Sequence, residues 1–235
     1  MAETENTAQT PDWKDRVLEA ALSHVPFDGW SETTLKAAIA DSGVSAGLAR
    51  ALFPRGGIDL AVAYHLRGDR AMRDALVAAD LSAMRFRDRI AHAVRLRLEA
   101  VGDRELVRRG TTLFTLPQHA AEGAKLVWGT ADAIWVALGD TARDFNWYTK
   151  RATLSAVYGS TVLYWLGDDS AGHQGTWEFL DRRIDDVMQI EKAKAAIKDN
   201  PLGKALLAGP MKLMEKWRAP TVPDDLPGRV MDRFR

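Results

Sequence analysis

A chain of 235 residues that is 46% hydrophobic and 27% charged can bury a sizeable core, which excludes a mainly disordered polymer. Lysine plus arginine equals aspartate plus glutamate at 32 each, so the whole-chain field attracts neither nucleic acid nor an anionic surface, and any such partner needs a local patch. With no cysteine, disulfides and thiol catalysis are excluded, as fits a reducing compartment.

The opening MAETENTAQTPD carries acids and no cation before Lys14, unlike a secretory signal or an arginine-rich transit peptide, so the chain is expected to stay where it is made. Residues 1–11 read as a disordered polar tail. Pro11 and Asp12 start a helix that runs to about Val25, and Pro26 and Gly29 stop it. Ser31 caps a second helix whose Leu35, Ala38 and Ile39 face inward and which ends near Gly43. The stretch DSGVSAGLARALFPRG then has helix-turn-helix spacing: glycine in the turn, Val44 beneath it, Ser45 as cap and a short helix from Ala46 to Phe53. Further helical patterns run from Ile58 to about Val77, Phe86 to Val101, Leu106 to about Leu116, and Gln118 to Leu138. In the last of these Trp128 and Trp135 stand seven residues apart, and Ala120, Ala124 and Ala131 let a neighbouring helix approach closely.

The chain is organised around the stretch from Asp144 to Leu166. At 100° per residue, Trp147, Leu154, Tyr158 and Trp165 share one stripe, and Phe145, Ala152, Ala156, Gly159 and Leu163 form a second apolar band. No charge follows Arg151 until Asp168, so this helix is expected to be packed on most sides. Its first turn crowds Trp147, Tyr148, Lys150 and Arg151, and aromatic and arginine side chains are the usual anchors of interfaces. The longest uncharged run, Ala152 to Gly167, is short of the ~20 apolar residues of a spanning helix. A further helix runs from Thr176 to about Ile190, and no strand pattern occurs anywhere.

Between Lys192 and Arg218 seven cations face two acids. Asn200 and Pro201 start a helix with Leu202, Leu206, Leu213 and Trp217 on one face and Lys204, Lys212 and Lys216 opposite. Such a helix suits the boundary between lipid headgroups and acyl chains, although it also suits docking on the protein's own core. Residues 219–235, with prolines at 220, 223 and 227, read as an irregular tail.

The helix order resembles the TetR family of one-component regulators, which implies an amino-terminal helix-turn-helix unit ahead of a helical ligand-binding bundle. Residues 12 to 65 carry five cations against seven acids, and the would-be recognition helix offers only Arg50 to read a base edge, so DNA binding is not expected. The five histidines are scattered, and no HExxH, P-loop or GxSxG occurs, so neither metal nor catalysis is expected. His65 reads as a partly buried packing residue.

HVPFDGWSETTL, ARALFPRGGIDLA, DFNWYTKRATLSAVY and FLDRRIDDVM together resemble the Coq nine family of ubiquinone biosynthesis accessory proteins over residues 12 to about 191. The resemblance implies an all-α, TetR-like, homodimeric protein without enzymatic activity or cofactor. It implies an isoprenoid or quinone-precursor lipid held in a hydrophobic cavity, for which the aromatic helices themselves offer Trp128, Trp135, Leu154, Tyr158 and Trp165 as candidate lining residues. It further implies a surface for demethoxyubiquinone hydroxylase, or another quinone-ring hydroxylase, at Trp147, Tyr148 and Arg151, to which Lys150 is added from local chemistry. The expected organisation is a helix-turn-helix-like unit over 12–66, a lipid-binding and dimerisation domain over 67–191, and a basic membrane helix over 192–218. In the expected mechanism the polyprenyl tail enters the cavity and the quinone head is handed to the docked enzyme. The expected setting is the bacterial cytoplasm, at the periphery of the inner membrane. A ligand-responsive TetR-type regulator is the alternative reading.

Overall fold

A computed structural model describes residues 12–199. Among them every regular element is helical: α1 Trp13–Leu22, α2 Val25–Asp28, α3 Glu32–Ser42, α4 Ala46–Leu52, α5 Gly57–Ala78, α6 Phe86–Glu99, α7 Arg104–Thr115, α8 Ala120–Ala137, α9 Phe145–Leu166 and α10 Gln174–Asp199. A 3-10 turn, Ala171–His173, leads into α10. The expected tails and the apolar and basic faces at Leu202, Lys204, Leu206, Lys212, Leu213, Lys216 and Trp217 lie outside the described residues.

Short polar side chains set the helix starts. Asp12, Ser31, Ser45, Asp103 and Asp144 each accept a backbone N–H from the first turn that follows, a contact worth ~1 kcal/mol apiece. The cap at Asp103 also explains why α7 begins at Arg104, two residues before the apolar pattern does. The expected single helix to Val25 is instead two elements. Pro26 sits in the first turn of α2, where no backbone donor is needed, so it opens that turn as well as closing α1. At the other end α10 runs on past Ile190 to Asp199, through an alanine- and lysine-rich sequence of high helix propensity.

Two cores result. Val17, Leu18, Leu35, Ala49 and Phe53 of α1–α4 pack with Leu60 of α5 and Leu106 of α7. Met72 and Leu76, further along α5, pack with Val94, Ile134, Leu154, Trp165 and Leu180. The helix α5 is therefore the spine of both. Its first residue must be small: a Cβ on Gly57 would stand 2.4 Å from the Trp30 carbonyl and the Ser31 nitrogen. Arg55 adds a surface clamp, donating to Asp59 and, through both terminal nitrogens at 2.9 Å, to Glu122 of α8.

Candidate functional site

Helices α5 to α9 enclose a cavity of about 290 Å³, at the small end of the ~300–1,000 Å³ range of ligand sites. Leu98, Leu106, Phe114, Leu126 and Val162 make its wall largely apolar, and Trp30, from the α2–α3 connection, closes one side. The indole of Trp30 is fixed by donating to the Leu106 carbonyl at 3.0 Å and packs on the Tyr64 ring at 5.3 Å. Thr115 and Leu163 line the cavity and are exposed, marking its mouth, whereas Arg97 and Tyr158 line it from the buried side.

That buried side is polar. Arg97 and Asp69, 4% and 5% exposed, are joined by a 2.6 Å bond from Nε to Oδ1. Arg97 Nη2 donates to the His65 carbonyl at 3.0 Å, and Thr130 Oγ1 lies 2.9 Å from Asp69 Oδ1 and 2.8 Å from His65 Nε2. Gly68 makes the arrangement possible, because a Cβ there would stand 2.6 Å from Arg97 Nη1. Burial, followed by the Arg97 charge, pushes the His65 ring down to about 4, so it is neutral at neutral pH. Burial likewise raises the Tyr158 hydroxyl and lifts that of Tyr64 to about 12. The side of the cavity formed by these groups is hydrogen-bonding but carries no net charge.

The first turn of α9 is a second feature. Arg151, a candidate docking residue, is 2% exposed: it donates to Asp132 at 2.5 Å, to Asp140 at 3.1 Å and to the Trp147 carbonyl at 3.2 Å. Its guanidinium lies 4.1 Å from the Trp147 ring, whose far neighbours are Trp128 at 5.9 Å and Tyr148 at 4.8 Å. Lys150 reaches the other oxygen of Asp140 at 2.7 Å. Burial alone would raise the Asp140 carboxyl, but the hydrogen bonds from Lys150 and Arg151 outweigh it and hold the group below its usual range. Arg151 thus lies under the aromatic patch and braces it, which corrects its assignment as a surface contact. The half-buried Trp147 and Tyr148 form the patch itself.

The five candidate lipid residues do not converge. Only Tyr158 lines the cavity of about 290 Å³. Trp135 and Leu154 line a separate groove of about 200 Å³ with Phe86, Ile184 and Met188. Trp165 borders a hollow with His173 and Trp177, and Trp128 belongs to the aromatic patch. Helical periodicity groups residues by face, but one face of α9 meets three different neighbours along its 22 residues. The second apolar band departs from expectation too: Ala152, Ala156 and Leu163 are exposed, Leu163 at 62%. Trp30, Tyr64 and Arg97 are the cavity residues that sequence reasoning missed. The available signal was the His65–Asp69 spacing, which puts two polar groups on the inner face of α5.

No helix among the described residues is long and apolar enough to cross a membrane, and none of their His, Asp and Glu side chains form a metal-binding group. The COQ9 family model matches residues 120–191, from α8 into α10. The chain is 33% identical over 181 residues to the mitochondrial ubiquinone biosynthesis protein COQ9 of Drosophila melanogaster, covering 75% of this chain and 55% of that protein. To its namesake in Homo sapiens it is 31% identical over 223 residues, covering 89% and 67%. For Rattus norvegicus the figures are 31% over 210 residues, covering 83% and 64%. The chain therefore spans little more than half of the fly protein and about two thirds of the mammalian ones. A TetR transcriptional regulator from Nitrosomonas europaea ATCC 19718 superposes with a TM-score of 0.59 at 20% identity, over 73% of this chain and 95% of that one. This is a likeness of fold.

Proposed function

Because the chain belongs to the COQ9 family and so has a role in ubiquinone biosynthesis, we propose that it is a non-enzymatic accessory protein that binds isoprenoid or quinone-precursor lipids and brings them to a quinone-ring hydroxylase. The observation that carries this reading is the cavity of about 290 Å³, apolar over most of its wall and open at Thr115 and Leu163. Each CH₂ moved from water into such a space is favourable by ~0.8 kcal/mol, so a short length of prenyl chain supplies useful affinity.

The other parts of the reading have separate support. The aromatic patch at Trp147 and Tyr148, held rigid by Arg151 and Asp140, suits an enzyme partner. The large apolar side chains left exposed on α8 and α9 suit a second copy of the chain. The sequence of residues 202–217, apolar on one side and lysine-rich on the other, suits a membrane surface, with ~1 kcal/mol from each lysine near anionic lipid. A bacterial relative of the mitochondrial proteins, working at the cytoplasmic face of the inner membrane, fits these features. For the alternative, a DNA-binding regulator, the cation on α4 is already committed: Arg50 is paired with Glu32 at 2.9 Å.

Mass spectrometry of an organic extract of the gently purified protein, against a control protein from the same lysate, tests the reading. Enrichment of ubiquinone or a prenylated precursor is expected, and an empty extract would overturn the lipid role. In the same preparation Trp147→Ala is expected to weaken capture of the hydroxylase without changing the bound lipid. Undiminished capture would remove the patch from the mechanism.

A further inference from the structure

A single buried carboxylate ties down the first turn of α9. Asp140 stands in the α8–α9 connection just after Gly139, whose φ of 79° lies in the left-handed region that glycine favours, and its own N–H donates to the Trp135 carbonyl at 2.9 Å. One oxygen of the carboxylate takes Lys150 at 2.7 Å and the other takes Arg151 at 3.1 Å. Lys150 and Arg151 are successive residues whose side chains leave the helix about 100° apart, so a group that meets both must lie between them, against the helix. The side chains of Asp140 and Arg151 are 3% and 2% exposed, and water cannot stand in for either charge. Two further contacts close the corner: Trp135 Nε1 donates to the Lys150 carbonyl at 3.1 Å, and Lys150 Nζ lies 5.0 Å from the Trp135 ring.

We propose that Asp140 is the positioning residue of the docking surface: it touches no partner itself, and it sets the Trp147 ring in the arrangement the hydroxylase meets by holding Arg151 beneath that ring and drawing Lys150 inward. This rests on the reading of the aromatic patch as the enzyme's docking site. Asp132 does not duplicate the role, since it takes Arg151 alone and is 41% exposed, where solvent weakens its hold. An amide at position 140 keeps the shape but offers one acceptor oxygen and turns an NH₂ group toward the second cation, a donor against a donor. Removing the side chain altogether leaves the buried guanidinium with Asp132 as its one charged partner among the described residues. A buried cation that loses a partner is drawn toward water, and that movement takes Arg151 out from under Trp147. Lys150, placed in the docking surface by local chemistry, then serves it from within, as the second cation that Asp140 gathers.

The test is the affinity of the full chain for the demethoxyubiquinone hydroxylase of the same organism, measured by biolayer interferometry for wild type, Asp140→Asn, Asp140→Ala, Trp147→Ala and Asp140→Asn combined with Trp147→Ala. Asp140→Asn is expected to weaken binding about threefold and Asp140→Ala about tenfold. Because Asp140 acts through the Trp147 ring, the combined variant is expected to bind no more weakly than Trp147→Ala alone, whereas damage elsewhere in the fold would add its own effect. Thermal melts show whether each variant folds. Should Asp140→Ala fail to fold, Asp140→Asn and the combined variant decide. A folded Asp140→Asn with wild-type affinity, or additive losses in the combined variant, would overturn the positioning role while leaving the patch as the docking site. Full affinity in Trp147→Ala, or no binding by wild type, would overturn the docking reading along with it.

Discussion

His65 carries the clearest single-residue consequence. Its folded-state value of about 4 lies below the ordinary 6.5, so the folded protein binds fewer protons than the unfolded chain across that interval. Its contribution is complete above pH 6.5, diminishes as pH falls and levels off below about 4. At pH 4.5 the loss is roughly 2–3 kcal/mol relative to pH 7. Urea denaturation of wild type and His65→Gln at the two pH values checks this: the variant is expected to lose less stability on acidification by about that amount, and equal losses would contradict the burial argument. Arg151 shows how far a residue can be read from sequence. Its place in a crowded aromatic and cationic turn was legible, but its burial was not, because the acids that draw it inward, Asp132 and Asp140, sit on α8 and in the α8–α9 connection. The Asp69–Arg97 pair, 28 positions apart on two helices, left no trace in any local pattern.

At the level of elements the sequence was far more informative, because caps and prolines act within a few residues of themselves. The starts of α3, α4 and α9 follow directly from Ser31, Ser45 and Asp144, whereas α2 was hidden by a proline that both ends one helix and begins another. Which neighbour each turn of α9 meets is a tertiary fact, and the lipid candidates scattered for that reason. The seam between α5 and the α2–α3 connection yields a direct test. Alanine at position 57 gains ~1 kcal/mol in helix propensity but places its Cβ 2.4 Å from backbone that cannot rotate away. Overpacking of this kind costs ~1–3 kcal/mol, so Gly57→Ala is expected to lower stability by about 1 kcal/mol net, read from the denaturation midpoint. An unchanged midpoint would show that the seam can open freely.

For the whole molecule the large apolar side chains left exposed on α8 and α9 matter most. Val136, Leu163 and Tyr164 are large apolar side chains left open on helices that are otherwise well packed. We expect the protein to be a dimer by sedimentation velocity and Val136→Glu to be a folded monomer, since burying an unpaired carboxylate in a symmetric interface costs twice. A wild-type monomer at micromolar concentration would rule out this face as a stable interface. The neutral overall charge gave no hint of it, since whole-chain balance says nothing about how apolar area is distributed.

One wall of the cavity is supplied from outside the bundle that forms the rest. Trp30 belongs to the amino-terminal core, yet it is fastened to α7 and closes the space in which a ligand would lie. Filling the cavity and seating the amino-terminal unit are therefore two ends of one thermodynamic cycle. A ligand that presses on Trp30 must tighten that unit by the same factor by which the seated unit tightens the ligand. The fold thus holds a mechanical connection between its two cores, and Gly57→Ala, which strains that connection, is expected to loosen the ligand along with the fold.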